Sequence, residues 1–568
     1  MAALLCCSLF GQNSPPPGLN AYERGLHAME RGDSAQAKAA FQQAVTENPR
    51  NADAQNALGQ LLLRQGNLDA AIVHLRAVTT VRPALAIGHL YLGEALIQKG
   101  NLDAATAEFR TTVRLAPQQP QSHEALARAL GSKQKTAEAI AEMKKAVAFA
   151  EDQPELRDEL GSLIAQTKDY SAAEEEFRSA LRLNPQYEPA LLHLGVALLN
   201  GGKYAEARQL FDQAVQINPN DGLAHYYLGS ILETEGNSQA ALDEYRLAAR
   251  LNASSVPLQT RLGLLAQRAG DTQTAINSFH AVTAAQPDDP EAHNNLGLAL
   301  LQAVQVDEAI REFRRAIQLS PADTSFWNNL GAAYLQKSDF DGAVQQYKNG
   351  LRLAPRNAEL HYNLGLAYKL KDEIPEAIDE LRKTTELDPK LPDPHYTLGV
   401  TLWQSGKFDE AAKELNAAVM LKPDYAEAYY TLGTVYKQAG DLPKAADALK
   451  KAIQLQPDFA GAHTTLAGVL RQQGDTQGAA AESKLGAQIT QQKMTLQTAT
   501  FSTNSGTKLM NAGDLDGAIS QFESAIKADS SYAPAHQQLA IALERKGDKT
   551  RASRELEIAK QLQSPQAR

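Results

Sequence analysis

Cysteine is almost absent from this chain: there are two, Cys6 and Cys7, both within the first dozen positions. No disulfide framework or thiolate metal site can therefore form in the body of the protein. A cysteine-free body suits an oxidising compartment. Aromatic residues are scarce at 6%, which favours many thin helix-on-helix contacts over one large globular core. No apolar run approaches the roughly 20 residues needed to cross a bilayer. A basic block is missing too. The 56 basic and 66 acidic residues give a net charge of −10, spread along the chain, so nucleic acid is not an expected partner.

Only the N-terminus carries an address. Residues 1–17 form a signal-like segment: MAALLCCSLFG, then Gln12-Asn13-Ser14 and Pro15-Pro16-Pro17. It resembles the apolar region and cleavage zone of a secretory signal peptide without the positively charged start. The expectation is a periplasmic or secreted protein, with the cytoplasm as the alternative.

What is abundant is repetition. From Ala37, steps of 34 land on alanine every time through Ala71, Ala105 and onward to Ala479. One step of 39 then reaches Ala518 and a last step of 34 reaches Ala552, giving sixteen alanines in one frame. Numbering Ala37 as position 20, position 8 is glycine in thirteen repeats, and Ala127, Ala467 and Ala540 fill the rest. Position 15 is glycine in eleven repeats, and position 32 is proline in eleven. Apolar spacing such as Leu92-x-x-x-Leu96 and Ala105-x-x-x-Phe109 predicts two amphipathic helices per repeat. The glycine between them fits a left-handed helix end. The proline is expected to preset the first turn of the next helix. The small residues at positions 8 and 20 are expected to let the two backbones approach closely.

Repeat ten shows the pattern nearly whole: Trp327, Leu330, Gly331, Tyr334, Ala343, Tyr347 and Pro355. In this the chain resembles the tetratricopeptide (TPR) repeat over residues 18–566. The resemblance implies an all-α fold, a right-handed superhelical solenoid of about sixteen helix-turn-helix repeats, with the first helix of each pair on the concave side. Sixteen repeats of 34 leave no room for a catalytic domain, so no enzyme, catalytic residue or cofactor is expected. The expected organisation is repeats 1–14 over 18–480, an extended or broken helix over 481–505, and repeats 15–16 with a polar cap over 506–568.

Eight histidines, His89, His123, His225, His293, His361, His395, His463 and His536, share position 4. Neighbouring repeats would set them roughly 8–10 Å apart, too far to share a metal, so they are expected to pack and no metal site is expected. Interaction candidates lie on the presumed concave stripe. Positions 5 and 6 read Asn294-Asn295, Asn328-Asn329 and Tyr362-Asn363, followed by Tyr396 and Tyr430. Position 13 contributes Gln302, Gln336, Gln404 and Gln438. Asparagine is a poor helix former, yet its amide offers a donor and an acceptor that match a peptide backbone. Tyrosine adds rigid contact area. Asn295, Asn329 and Asn363 resemble the asparagine ladder in the TPR region of O-GlcNAc transferases, which implies that they hold an extended peptide. Threonine replaces the asparagine thereafter, so any such ladder is short. Position 2 is acidic at Glu291, Glu359, Asp393 and Glu427, which disfavours an acidic C-terminal tail as ligand.

The expected function is a scaffold whose groove binds an extended segment of a partner protein. An envelope or exopolysaccharide assembly scaffold, and an accessory subunit of a glycosyltransferase on another chain, are the alternatives. Self-association stays open.

Overall fold

The computed structural model describes residues 19–252 and 255–563. The signal-like segment, Cys6, Cys7 and the extreme C-terminus lie outside the described residues. Thirty-one helices follow one another, with no strand among the described residues. The chain divides between Ala285 and Gln286 into two compact units. The first carries helix pairs from Ala21–Glu30 to Thr272–Ala285, and the second those from Pro290–Gln302 to Lys549–Gln563.

Repeat three shows how the sequence builds each pair. Its first helix, Ala86–Gln98, and its second, Leu102–Leu115, are joined by three residues. Asn101 N–H donates to the Leu96 carbonyl (2.8 Å) and Gly100 N–H to the Ile97 carbonyl (2.8 Å), while Gly100 takes φ +81°. This satisfies the orphan carbonyls of the first helix. The Asn101 side chain then accepts from Ala104 N–H at 3.2 Å and caps the second helix. Position 15 is left-handed in all sixteen repeats. Eleven use glycine, and Gln134, Lys168, Val304, Ser338 and Asp372 adopt the same conformation with a side chain.

One expected role is corrected and another extended. The position-32 proline does not open the next helix. Pro83 is the second residue of a β-turn closed by Leu85 N–H donating to the Arg82 carbonyl (3.0 Å), and the helix begins at Ala86. Its preset φ serves the turn. The position-8 glycine makes room for a backbone, as expected, and also for a side chain: a Cβ on Gly399 would stand 3.2 Å from the position-20 Ala411 carbonyl oxygen. A Cβ on Gly297 would stand 2.6 Å from Phe313 Cε1, and one on Gly331 2.4 Å from Tyr347 Cε1. The buried ring sixteen residues on lies against the bare backbone.

The segment 481–505 takes the extended form, inside one 36-residue helix, Thr476–Asn511. This helix is both the second of repeat fourteen and the first of repeat fifteen, which accounts for thirty-one helices where sixteen pairs would give thirty-two. Position 32 is Gln491, and residues 490–498 contain neither glycine nor proline, so nothing stops the helix. It packs against Ala460–Gln472 and against Leu515–Ala528, joining the repeats on either side of it.

Candidate peptide-binding face

The position-4 side chains fasten one repeat to the turn before it. In all eight histidines Nε2 meets the carbonyl six residues back, as His89 meets Pro83 (3.0 Å) and His361 meets Pro355 (3.0 Å). Nδ1 meets a glutamate nineteen residues on, as in His89 with Glu108 at 2.6 Å. Both ring nitrogens are engaged, leaving neither for a metal. Trp327 Nε1 donates to the Pro321 carbonyl (3.1 Å) and Gln55 Nε2 to that of Pro49 (2.9 Å), so three side-chain types perform one task. The glutamates recur in the sequence at constant spacing, and only the packed repeats pair them with the histidines. No group of His, Cys, Asp and Glu suited to a metal occurs among the described residues.

Positions 5 and 6 of the second unit form bonded pairs between successive repeats. Asn329 Nδ2 donates to Asn294 Oδ1 at 2.8 Å, and Asn363 Nδ2 donates to Asn328 Oδ1 at 2.8 Å. Asn328 Nδ2 reaches forward to Glu359 Oε1 at 2.9 Å. The next rung keeps the register with other chemistry, the Tyr362 hydroxyl lying 3.2 Å from Thr397 Oγ1. Asn294 is buried, whereas Asn295, Asn328, Asn329, Tyr362 and Asn363 are half-buried. An asparagine amide has two N–H groups and a carbonyl oxygen. The rung bonds of Asn329 and Asn363 use one N–H each.

The tyrosines continue the row. Tyr396 packs its ring on Tyr425 with centroids 5.0 Å apart, and Tyr430 packs on Phe459 at 4.7 Å. The Tyr425 hydroxyl donates to Asp393 Oδ1 (3.0 Å); burial and that carboxylate both push its pKa up. Burial, with Asp323 and Asp289 nearby, raises the Glu291 carboxyl. Among the glutamines, Gln336 donates to the Leu301 carbonyl (3.2 Å) and Gln438 accepts from Trp403 Nε1 (2.5 Å). Gln302 and Gln404 are exposed at the same register. A cavity of about 310 Å³ opens beside the row between Tyr362, Leu391 and Pro392, with Glu359, Asp388 and Asp393 on its rim. The face is thus polar and aromatic, with carboxylates on its edge.

Tetratricopeptide repeat family models match residues 22–188 in overlapping stretches, 163–231 and 504–564. The chain is a tetratricopeptide repeat protein. Between those matches, residues 258–500 of this TPR chain match the cilia and flagella-associated protein 70 C-terminal domain. Among solved structures, MamA is 31% identical over 29% of this chain and 96% of its own, with a TM-score of 0.29. YrrB, described as a TPR protein with an unusual peptide-binding site, is 24% identical over 32% of this chain and 95% of its own, TM-score 0.29. Cut9–Hcn1 of the APC/C is 14% identical over 92% of this chain and 96% of its own, TM-score 0.35. No curated protein matches the chain. A TPR architecture is typically non-catalytic and serves protein–protein interaction. No described helix is long and apolar enough to cross a membrane.

Proposed function

We propose that the first-helix face of repeats nine to thirteen binds an extended polypeptide segment of a partner protein. The observation that carries this reading is the two inter-repeat amide bonds, Asn329 to Asn294 and Asn363 to Asn328. Inter-repeat bonds orient Asn329 and Asn363 while using part of their capacity, so each still has a carbonyl oxygen and an N–H for a peptide unit. Such preorganisation lowers the entropic cost of binding. Tyr362, Tyr396 and Tyr430 then supply contact area for the ligand's side chains. The edge carboxylates Glu291, Glu359, Asp393 and Glu427 favour a neutral or basic segment over an acidic one.

The test is affinity capture from a native extract, comparing the unmutated chain with one carrying Asn295→Ala, Asn329→Ala and Asn363→Ala together. Circular dichroism establishes that both are equally helical. Loss of captured partners with helicity retained supports the reading. Unchanged capture means the amides serve only to join repeats, and the reading fails.

A further inference from the structure

We propose that the helix shared by repeats fourteen and fifteen, Thr476–Asn511, pairs antiparallel with the same helix of a second copy of this chain. In an ordinary repeat the next first helix folds back over the second and covers it. Ala446 and Leu449 of repeat thirteen are buried in one cluster with Leu466 and Val469 of the following first helix. At the same two positions of repeat fourteen, Ala480 and Ser483 are exposed, because the chain runs straight on instead of turning. The first helix of repeat fifteen loses its cover for the same reason. Position 3 ordinarily packs on the preceding second helix, where a Cβ on Gly350 would stand 2.9 Å from Leu360 Cδ1. Phe326 at position 3 of repeat ten is 1% exposed, whereas Phe501 at position 3 of repeat fifteen is 74% exposed.

The uncovered residues make one seam. Ala480, Ser483, Ala487, Thr490, Met494 and Phe501 follow one another at steps of three, four, three, four and seven, so they share one side of the helix. All six are exposed. Small residues occupy one end, and the two large ones, Met494 and Phe501, the other. Antiparallel pairing about a two-fold axis near Thr490 therefore sets Phe501 of each copy among Ala480 and Ser483 of the other. The same register sets Met494 against Ala487 and Thr490. Such a contact is isologous: one surface is both knob and hole, and each copy covers what the other leaves bare. A parallel pairing would set ring on ring and leave the small residues facing one another.

Charge agrees with this occupant. From Leu485 to Thr507 the one charged residue is Lys493, and it bonds Asp458 at 2.9 Å. Two chains that each carry a net charge of −10 repel over much of their surface. Along this seam they meet with no like charges opposed. A membrane surface is disfavoured, since helices that lie on one carry lysine or arginine along the polar face. The seam lies off the amide face of repeats nine to thirteen, and the pairing stands or falls independently of peptide binding there.

The test is sedimentation velocity of the full chain across a concentration series, where a monomer–dimer equilibrium is expected. Phe501→Asp should weaken self-association roughly tenfold or more, as for loss of an aromatic anchor. Leu485→Asp makes the same change at a residue 44% exposed on the opposite side of the same helix, and should leave the dimer unchanged. Circular dichroism verifies folding of each variant. Register is read by disulfide trapping with Cys6→Ser and Cys7→Ser in the background. A mixture of Ser483→Cys and Phe501→Cys chains should cross-link under mild oxidation. Neither variant should cross-link by itself, because like positions of an antiparallel pair then stand roughly 27 Å apart. A monomer at every concentration, equal effects of the two aspartates, or cross-linking of a single variant would each overturn the assignment.

Discussion

Replacing Gly297 with alanine sets two effects against each other, and the structure decides between them. Alanine is the better helix former, worth up to about 1 kcal/mol in a helix interior. Against this, the new methyl would sit 2.6, 2.8 and 3.0 Å from Cε1, Cδ1 and Cζ of Phe313. Carbon pairs settle at about 3.5–4.0 Å, so the overlap approaches an ångström. Phe313 is 0% exposed and has nowhere to swing. Overpacking of this kind costs about 1–3 kcal/mol, leaving a net loss of up to about 2 kcal/mol after the propensity gain. The chain contains its own controls. Where position 8 is alanine, the residue sixteen further on is never a ring: Ala127 faces Met143, Ala467 is followed by Ser483, and Ala540 by Leu556. Adding Phe313→Met to Gly297→Ala should therefore recover stability, with a favourable coupling of about 1 kcal/mol. Because solenoids unfold in parts, the assay is amide hydrogen exchange within Pro290–Gln302 and Val306–Leu319, alongside urea unfolding. A stability gain in the single variant, or strict additivity in the double, would refute the packing argument.

Val304 holds φ +62° with a β-branched side chain that is 70% exposed. Val304→Gly should therefore stabilise the repeat by about 1 kcal/mol in chemical denaturation, and a loss would contradict it. At position 4, His361→Gln should be mild because Gln55 already performs the same carbonyl bond. His361→Leu strands the Pro355 carbonyl and should cost about 1–3 kcal/mol in the same assay. The Glu94 carboxyl is raised in the folded chain, so the folded state binds more protons than the unfolded one just above the ordinary glutamate value, and stability falls as pH rises through that window. Glu94→Gln should accordingly raise the melting temperature near pH 7, with the gain shrinking as pH falls towards and below 4.5. Gln491→Pro should break the 36-residue helix at a cost of about 3 kcal/mol, visible as new protease cleavage around residues 490–498; an uncut helix would count against the account of why it runs on.

The sequence by itself determined the pairing of helices and the left-handed turn between them. These depend on local spacing, caps and backbone conformation, and each is repeated sixteen times. The five non-glycine turns, among them Gln134 and Val304, break the glycine pattern in the sequence, and it is the packed helices on either side that impose the left-handed residue there. The sequence also placed Asn295, Asn329 and Asn363 at one register, since register is a matter of counting. What it could not supply was the partner of each side chain. That Asn329 bonds Asn294 rather than solvent, that the position-8 glycine lies against a ring, and that His361 joins Glu380 to Pro355 depend on contacts between residues six to thirty-five apart in the chain. The uninterrupted helix over 476–511 and the bare ring of Phe501 are of the same kind. A missing proline or an uncovered aromatic acquires meaning only once neighbouring repeats have packed and fixed what lies alongside.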